Sequence, residues 1–262
     1  MNAAVDIHPL ALLAGYVMLL IPLGIIYWYR VPMLGQTLMS VLRMTLQLIF
    51  VGLYLQVVFR LNHFGLNILW LAVMITVADL SILRGCQLRL GRIAGWIFLA
   101  LLAGTAVPLL VFVGVILRRP EILDARFVIP IGGMILGNCL RADIVGIRTF
   151  YQSIRTGQKA YELSLSQGAT VTEAVQPHLR ETLYQSLTPT VAMMANVGIV
   201  ALPGMMTGVI LGGNDPLTAI GYQIAIMLSI FTGTSITVIL AILFSARSAF
   251  SAYGILRPEI FK

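Results

Sequence analysis

Seven separate runs of apolar residues dominate the chain, each near the length of about 20 residues that an α-helix needs to cross the hydrocarbon layer of a bilayer. They fall near Leu10 to Trp28, Thr37 to Phe59, Phe64 to Leu83, Ile93 to Leu117, Phe127 to Ile147, Pro189 to Leu211 and Ala219 to Phe244. A backbone in lipid must satisfy its own hydrogen bonds, so each run is expected as a helix. The fold is therefore expected to be all-α: a polytopic integral membrane protein with one transmembrane domain over residues 1–262. Charge agrees, since only 10% of the residues are charged, against roughly 25% in a soluble domain. The sixth run is the weakest as a straight helix, because Pro203 stands in a glycine-rich stretch; a kinked or re-entrant segment is expected there. The start lacks a basic region and its first run is long enough to span, so it reads as a retained first helix rather than a cleavable signal.

The net charge of +7 would raise nucleic acid as a partner in a soluble protein. Here the bases sit in short loops and at helix ends, with no basic arm and no RNA or DNA motif, so no nucleic acid is expected. An N-out, C-in arrangement puts all but Arg60, Arg118, Arg119 and Arg126 of the 17 bases on the cytoplasmic side, with Glu121 and Asp124 beside the last two. The membrane partner is lipid, and the expected location is a bacterial inner membrane. By this topology the one long polar stretch, from Ser153 to about Thr188, is cytoplasmic, where another protein would make contact or where it would serve as a plain linker.

Several chemistries lack their parts. There is no GxxxxGKS or GxxxxGKT run to cradle ATP phosphates, and no HExxH. His8, His63 and His178 all fall outside the expected spans, so neither a zinc protease nor a Ser-His hydrolase is assembled within the membrane. Cys86 and Cys139 make neither a disulfide framework nor a metal-type pair, and read as packed thiols. Asp79 and Asp143 lie within or at the inner ends of spans three and five, as in an aspartyl dyad, but each has an arginine available to neutralise it.

Charges within apolar spans are costly and usually paired, facing a protein interior or an aqueous cavity. Arg43 and Asp79 fall at similar depth on neighbouring spans, which predicts an ion pair. Arg141 and Asp143 are two apart and point to different faces. These charges either lock helices together or line the cytoplasmic mouth of a path, with Gln47, Asn138 and Asn196 adding uncharged groups deeper in. Gly204, Gly208 and Gly212 recur every fourth residue, as do Gly133 and Gly137; such faces permit close helix packing or, beside Pro203, a gate. Met134, Met193, Met194, Met205 and Met206 gather near these residues; thioethers fill apolar gaps or act as soft metal ligands, with Met205 and Met206 the candidates.

Within the polar stretch, Tyr161 to Ala174 reads YELSLSQGATVTEA. As a helix, Glu162, Ser166, Ala169 and Glu173 would share a face, while Gly168 would end or bend the first piece and Thr170 or Thr172 would cap the next. A glutamate six residues before Gly168-Ala169 resembles the coupling loop of ABC importer permeases, where a short helix docks on the ATPase, although the downstream IxLP element is missing and Pro177 falls nearer. A wider resemblance runs through Arg43-Met-Thr-Leu-Gln47 and on to Gly52, then Ala125 to Asn138, then Leu202-Pro-Gly-Met-Met-Thr-Gly and on to Gly213. These blocks, in this order, are similar to the FetB (YbbM-type) permeases, a family of iron exporters with plant relatives in aluminium tolerance. The sequence departs from that pattern at Val209, where Gln is usual, and at Cys139 and Arg141.

What the resemblance implies is the permease half of an ABC transporter. It would work as a homodimer with two copies of a separate FetA-like ATPase subunit, and move a metal ion such as iron out of the cytoplasm. This chain would bind no cofactor and would not itself be an enzyme; ATP and Mg would sit on the partner. Glu162, Ser166, Gly168, Ala169 and Glu173 would couple to that ATPase. The alternatives are a stand-alone gradient-driven carrier or channel, and a membrane scaffold.

Overall fold

The computed structural model describes residues 9–86, 90–118, 123–251 and 254–257. His8, Arg119 and Glu121 lie outside the described residues. Within them the chain forms α1 (Pro9–Met18), α2 (Leu20–Trp28), α3 (Leu34–Leu61), α4 (Phe64–Gly85), α5 (Leu90–Leu110), α6 (Ala125–Thr156), α7 (Gln158–Ser166), α8 (Val171–Asn196), α9 (Gly204–Leu211) and α10 (Pro216–Ala249). No β-strand forms among the described residues, which carry only the isolated bridges Val197–Ala201 and Phe250–Leu256.

Six stretches are long and apolar enough to cross a membrane: Ala11–Trp28, Leu34–Leu61, Phe64–Gly85, Ile93–Ile116, Ala125–Thr156 and Pro216–Ala249. The first is α1 and α2 in line. Pro22 cannot donate to the carbonyl of Met18, and the helix is interrupted beside that carbonyl, at Leu19. The fourth is α5, with Pro108 in its last turn, continued by a π-helical stretch Val111–Ile116.

The sixth apolar run does not form one helix, which corrects the span expected from Pro189 to Leu211. Helix α8 stops at Asn196, the chain loops through Val197 to Leu202 with Gly198 at φ +89°, and Pro203 then leads into the short α9. Pro203 has no N–H to return to the carbonyl of Ile199, and together with left-handed Gly198 it marks a break, whereas Pro130, Pro177 and Pro189 are carried inside continuous helices. The kink foreseen at Pro203 is thus a full break.

Helix α10 is the pillar of the bundle, packing on α5, α6, α8 and α9. Its contact with α5 depends on two glycines. A Cβ on Gly233 would lie 2.7 Å from the Gly104 carbonyl and 2.9 Å from Ile135 Cγ2, so neither backbone could approach as it does with any larger residue. Around them lie wholly buried Ile97, Leu101, Ile135, Cys139 and Val238. Cys86 and Cys139 are free, buried thiols.

Helix α6 defines two ends of the molecule: a far end at Asp124, whose side chain caps it by accepting from Arg126 N at 3.0 Å, and the end that carries α7. Its 32 residues are about 48 Å long. That exceeds a hydrocarbon layer of about 30 Å, and the surplus projects with α7. Helix α3 joins the bundle only near the far end, where Val58 packs with Ala125 and Ile129 and Tyr54 stacks on Trp70 at 4.1 Å. There Asn62, left-handed at φ +36°, caps α3 and accepts from Ala125 N at 3.0 Å and from Asn67 Nδ2 at 3.3 Å.

Candidate functional site

The polar stretch folds as a helix, an elbow and a second helix. Helix α7 ends at Ser166, and Gly168 adopts φ +95°, a left-handed conformation that disfavours any side chain. Thr170 then caps α8 in a capping box: its Oγ1 accepts from Glu173 N at 3.3 Å, and Glu173 Oε2 accepts from Thr170 N at 2.8 Å. The hydrogen bonds that the carboxyl accepts, from the Thr170 N–H and from the Thr170 hydroxyl, hold Glu173 below its usual range. The break at Gly168 and the cap at Thr170 match the sequence expectation. The single face shared by Glu162, Ser166, Ala169 and Glu173 does not form, because residues 167–170 interrupt the helix and Ala169 lies in the elbow.

This elbow is seated rather than dangling. Tyr161 is buried under it, and its hydroxyl donates to the Gly254 carbonyl at 2.7 Å while its ring packs toward Phe250. Burial pushes the Tyr161 hydroxyl's pKa up. On the other side His178 Nδ1 and the Ser153 hydroxyl lie 3.0 Å apart, tying α8 to the end of α6. Partial burial lowers the His178 pKa, which favours a neutral ring. Outward from this packed base, Glu162, Ser166, Gly168 and Glu173 are exposed, and Gln158 Nε2 donates to Glu162 at 2.7 Å.

A second feature lies at the break between α8 and α9. A cavity of about 410 Å³ is bounded by Met194, Gly198, Leu202 and Met206 on one side and by Gln223 and Met227 of α10 on the other. Gln223 is buried, and its Oε1 has no hydrogen-bond partner among the described residues. Three thioethers and one amide oxygen form a set that suits soft or borderline metal ions, and equally a small apolar guest. Met206 lines this cavity, whereas Met205 is half-buried against the main core. Gln223 and Met227 are absent from the sequence reading, although an amide in the middle of an apolar run is a visible signal. Among the described residues no group of three His, Cys, Asp or Glu is placed to hold a metal.

The intramembrane charges are arranged differently from expectation. Arg43 is exposed on α3 while Asp79 is buried with its Oδ1 unpartnered among the described residues, so the expected ion pair between them does not form. The reason is the attachment of α3 at the far end only, which leaves its Arg43 half away from α4. Asp143 is wholly buried with the Thr237 side chain as its near polar neighbour and no well-formed hydrogen bond among the described residues, and Arg141, two residues away, points outward; the arginine expected to neutralise it is on another face. Asn138 and Asn196 donate to the carbonyls one turn back, Met134 and Ala192, each at 2.8 Å. Gln47 is exposed on α3.

The glycine faces also differ. A Cβ on Gly204, Gly208 or Gly137 would meet nothing within 4 Å, and one on Gly212 would meet chiefly its own turn, so these do not serve close packing within the chain. Of the paired glycines in α6, Gly133 alone approaches a neighbour, Met74 Cε at 3.1 Å. The close approach belongs instead to Gly104 and Gly233.

Comparison with known sequences places these features in context. Residues 9–250 match a family described as Uncharacterised protein family (UPF0014). A UPF0014 membrane protein of Synechocystis is 36% identical over 217 residues, covering 83% of this chain and 84% of that protein. Protein ALUMINUM SENSITIVE 3 of Arabidopsis thaliana is 34% identical, covering 82% of this chain and 77% of its own. The Probable iron export permease protein FetB of Escherichia coli is 32% identical, covering 82% of each. No solved structure matches.

Proposed function

Because the chain belongs to the UPF0014 family of membrane proteins, we propose that it is the transmembrane permease subunit of an ATP-driven ABC transporter that exports iron or a related metal ion. In this reading it works as a homodimer in a bacterial inner membrane, N-out and C-in, with the α7 end in the cytoplasm. The transported metal is cargo; ATP and Mg are bound by a separate ATPase subunit.

The observation that carries the reading is the seated elbow. A short amphipathic helix, a left-handed glycine and a capped second helix project an exposed polar edge, while Tyr161 and His178 fix its base to the ends of α10 and α6. A partner gripping α7 would thus pull on two transmembrane helices together. A relative with 32% identity is named as a probable iron export permease, which supports the choice of cargo.

The chain should be co-expressed with the ATPase encoded beside it, purified by a tag on this chain, and assayed in liposomes for ATP hydrolysis with and without ferrous iron. The expected result is co-purification and iron-stimulated hydrolysis, both lost in Gly168→Glu, which remains inserted. A Gly168→Glu variant with normal ATP-driven transport overturns the elbow's role. An intact chain that recruits no ATPase shifts the reading to a gradient-driven carrier, for which the buried Asp143, with no arginine among the described residues turned toward it, is the observation in favour.

A further inference from the structure

The arginines that lie within the membrane are turned out of the bundle, and the carboxylates are turned in. Arg43 and Arg141 are exposed, whereas Asp79 and Asp143 are buried. Measured from the far end of each helix, Leu61 on α3 and Ala125 on α6, the two arginines stand at about 27 Å and about 24 Å. One turn deeper each helix repeats the step with an amide, Gln47 on α3 and Asn138 on α6, about 21 Å and about 20 Å from the same ends. Two helices thus carry the same ladder, cation then amide, at matching depth. No acid stands on either ladder: α3 contains none, and the one acid of α6 is the inward-facing Asp143.

The open face of α6 differs from one made for lipid. The exposed face of α10 is apolar, with Leu217, Ile239 and Leu243, and with Ile220, Ile224 and Leu228 at the rim of the cavity. On α6 most apolar side chains pack inward, and the open side mixes exposed Pro130 and Val145 with Gly133, Gly137, Asn138, Arg141 and Arg148. Arginine near a membrane surface can reach lipid headgroups, which accounts for Arg148. It does not account for amides a turn deeper on both helices. A polar face at that depth belongs against an aqueous path.

Resting on the permease reading, we propose that Arg43, Gln47, Asn138 and Arg141 form an anion-selective mouth, so that metal crosses as a negatively charged carboxylate chelate and not as a bare divalent cation. A guanidinium binds a carboxylate through two parallel N–H donors, and amide N–H groups extend that recognition. A bare divalent cation would meet two fixed positive charges with no acid to offset them.

The test uses the permease with its ATPase in proteoliposomes, comparing ferric citrate with ferrous chloride kept reduced, and radiolabelled citrate binding to the permease alone in nanodiscs. Wild type should transport iron supplied as ferric citrate, and Arg43→Gln with Arg141→Gln should weaken citrate binding by at least about tenfold, with the double Lys variant partly restored. Monodisperse elution of each variant controls for folding. Transport of ferrous chloride that survives in the double Gln variant overturns the mouth and leaves the permease reading intact. An ATPase that never associates overturns the permease reading, while citrate binding in nanodiscs still judges the mouth. Unchanged citrate binding, with melting that loses its dependence on phosphatidylglycerol, assigns the arginines to headgroups and overturns the proposal.

Discussion

Helices α3 and α10 are both long, apolar and uninterrupted, yet they belong to different kinds of structure. In the most apolar 18-residue window of α10, 56% of the residues are buried by the rest of the chain; in the corresponding windows of α3 and of the α1–α2 stretch none is, and Val58 is the one buried residue described in α3. Water does not explain the difference, because lipid tails are as apolar as a leucine, and no hydrophobic force gathers helices inside a bilayer. Shape and hydrogen bonding do. Helix α10 has Gly233 to meet Gly104, and buried Thr234, Thr237 and Ser245 along the packed side. Helix α3 has one anchored end at Val58 and Asn62, and above it a surface of Leu, Met and Phe broken by Arg43 and Gln47.

The sharpest way to break this contrast is a matched pair of glycine substitutions. Gly233→Leu should abolish the folded bundle, since it forces apart two backbones at a penalty of about 3 kcal/mol or more, whereas Gly52→Leu on α3, where a Cβ meets nothing, should stay within about 0.5 kcal/mol. Thermal unfolding in detergent compares them; equal effects would put α3 in the core. Next in size, Ile135→Ala should cost about 3 kcal/mol, and Ile49→Ala, on the exposed side of α3, close to nothing on the same assay. Asn62→Ala removes the accepted bond from Ala125 N and the residue type that tolerates φ +36°. It should cost about 1–2 kcal/mol and raise hydrogen exchange in α3 before α10.

Two smaller effects sharpen the picture. Because Arg43 and Asp79 are not paired, Arg43→Ala and Asp79→Ala should be additive in folded yield, to within about 0.5 kcal/mol in stability; strong coupling would bring α3 back onto α4. At the elbow, Thr170→Ala should lower the melting temperature by roughly 2 °C near neutral pH. The Glu173 carboxyl is held below its ordinary value of 4.5 in the folded state, so its support is fully present above that value and fades as pH falls through the depressed one. The acid limb of the melting curve should therefore be shallower in Thr170→Ala.

Signals confined to a few neighbouring residues were legible in the sequence. Apolar length located every membrane stretch, and Pro203 in its glycine-rich setting foretold trouble in the sixth run, but not its outcome of two helices and a loop, since Pro130, Pro177 and Pro189 sit inside continuous helices. Gly168 and Thr170 announced the elbow, because left-handed backbone and capping are settled within four residues. Facing was not legible. The depth of Arg43 and Asp79 along their helices is readable, but the side each presents depends on how α3 leans, which is set at Val58 and Asn62, more than a dozen residues away from Arg43. The fourfold glycine spacing at Gly204 misled for a related reason: spacing reports that a close approach is possible, not that a neighbour takes it. Gln223 and Met227 entered the cavity from a helix that the methionine-rich run gives no hint of.

Helix α6 runs as one helix, with Pro130 inside it near the far end, to the junction with α7, where His178 and Ser153 pin α8 to it. Mechanically it is a stiff rod about 48 Å long. If the rod pivots near its far end, where Asn62 ties down Ala125, a rotation of roughly 5° moves the α7 end by about 4 Å over that length. Arg141, about halfway along, moves about half as far. A push of a few ångströms at the elbow would then shift Asn138 and Arg141 of α6 relative to Arg43 and Gln47 of α3 without unwinding a single turn, and the stroke is bounded by the stiffness of one helix.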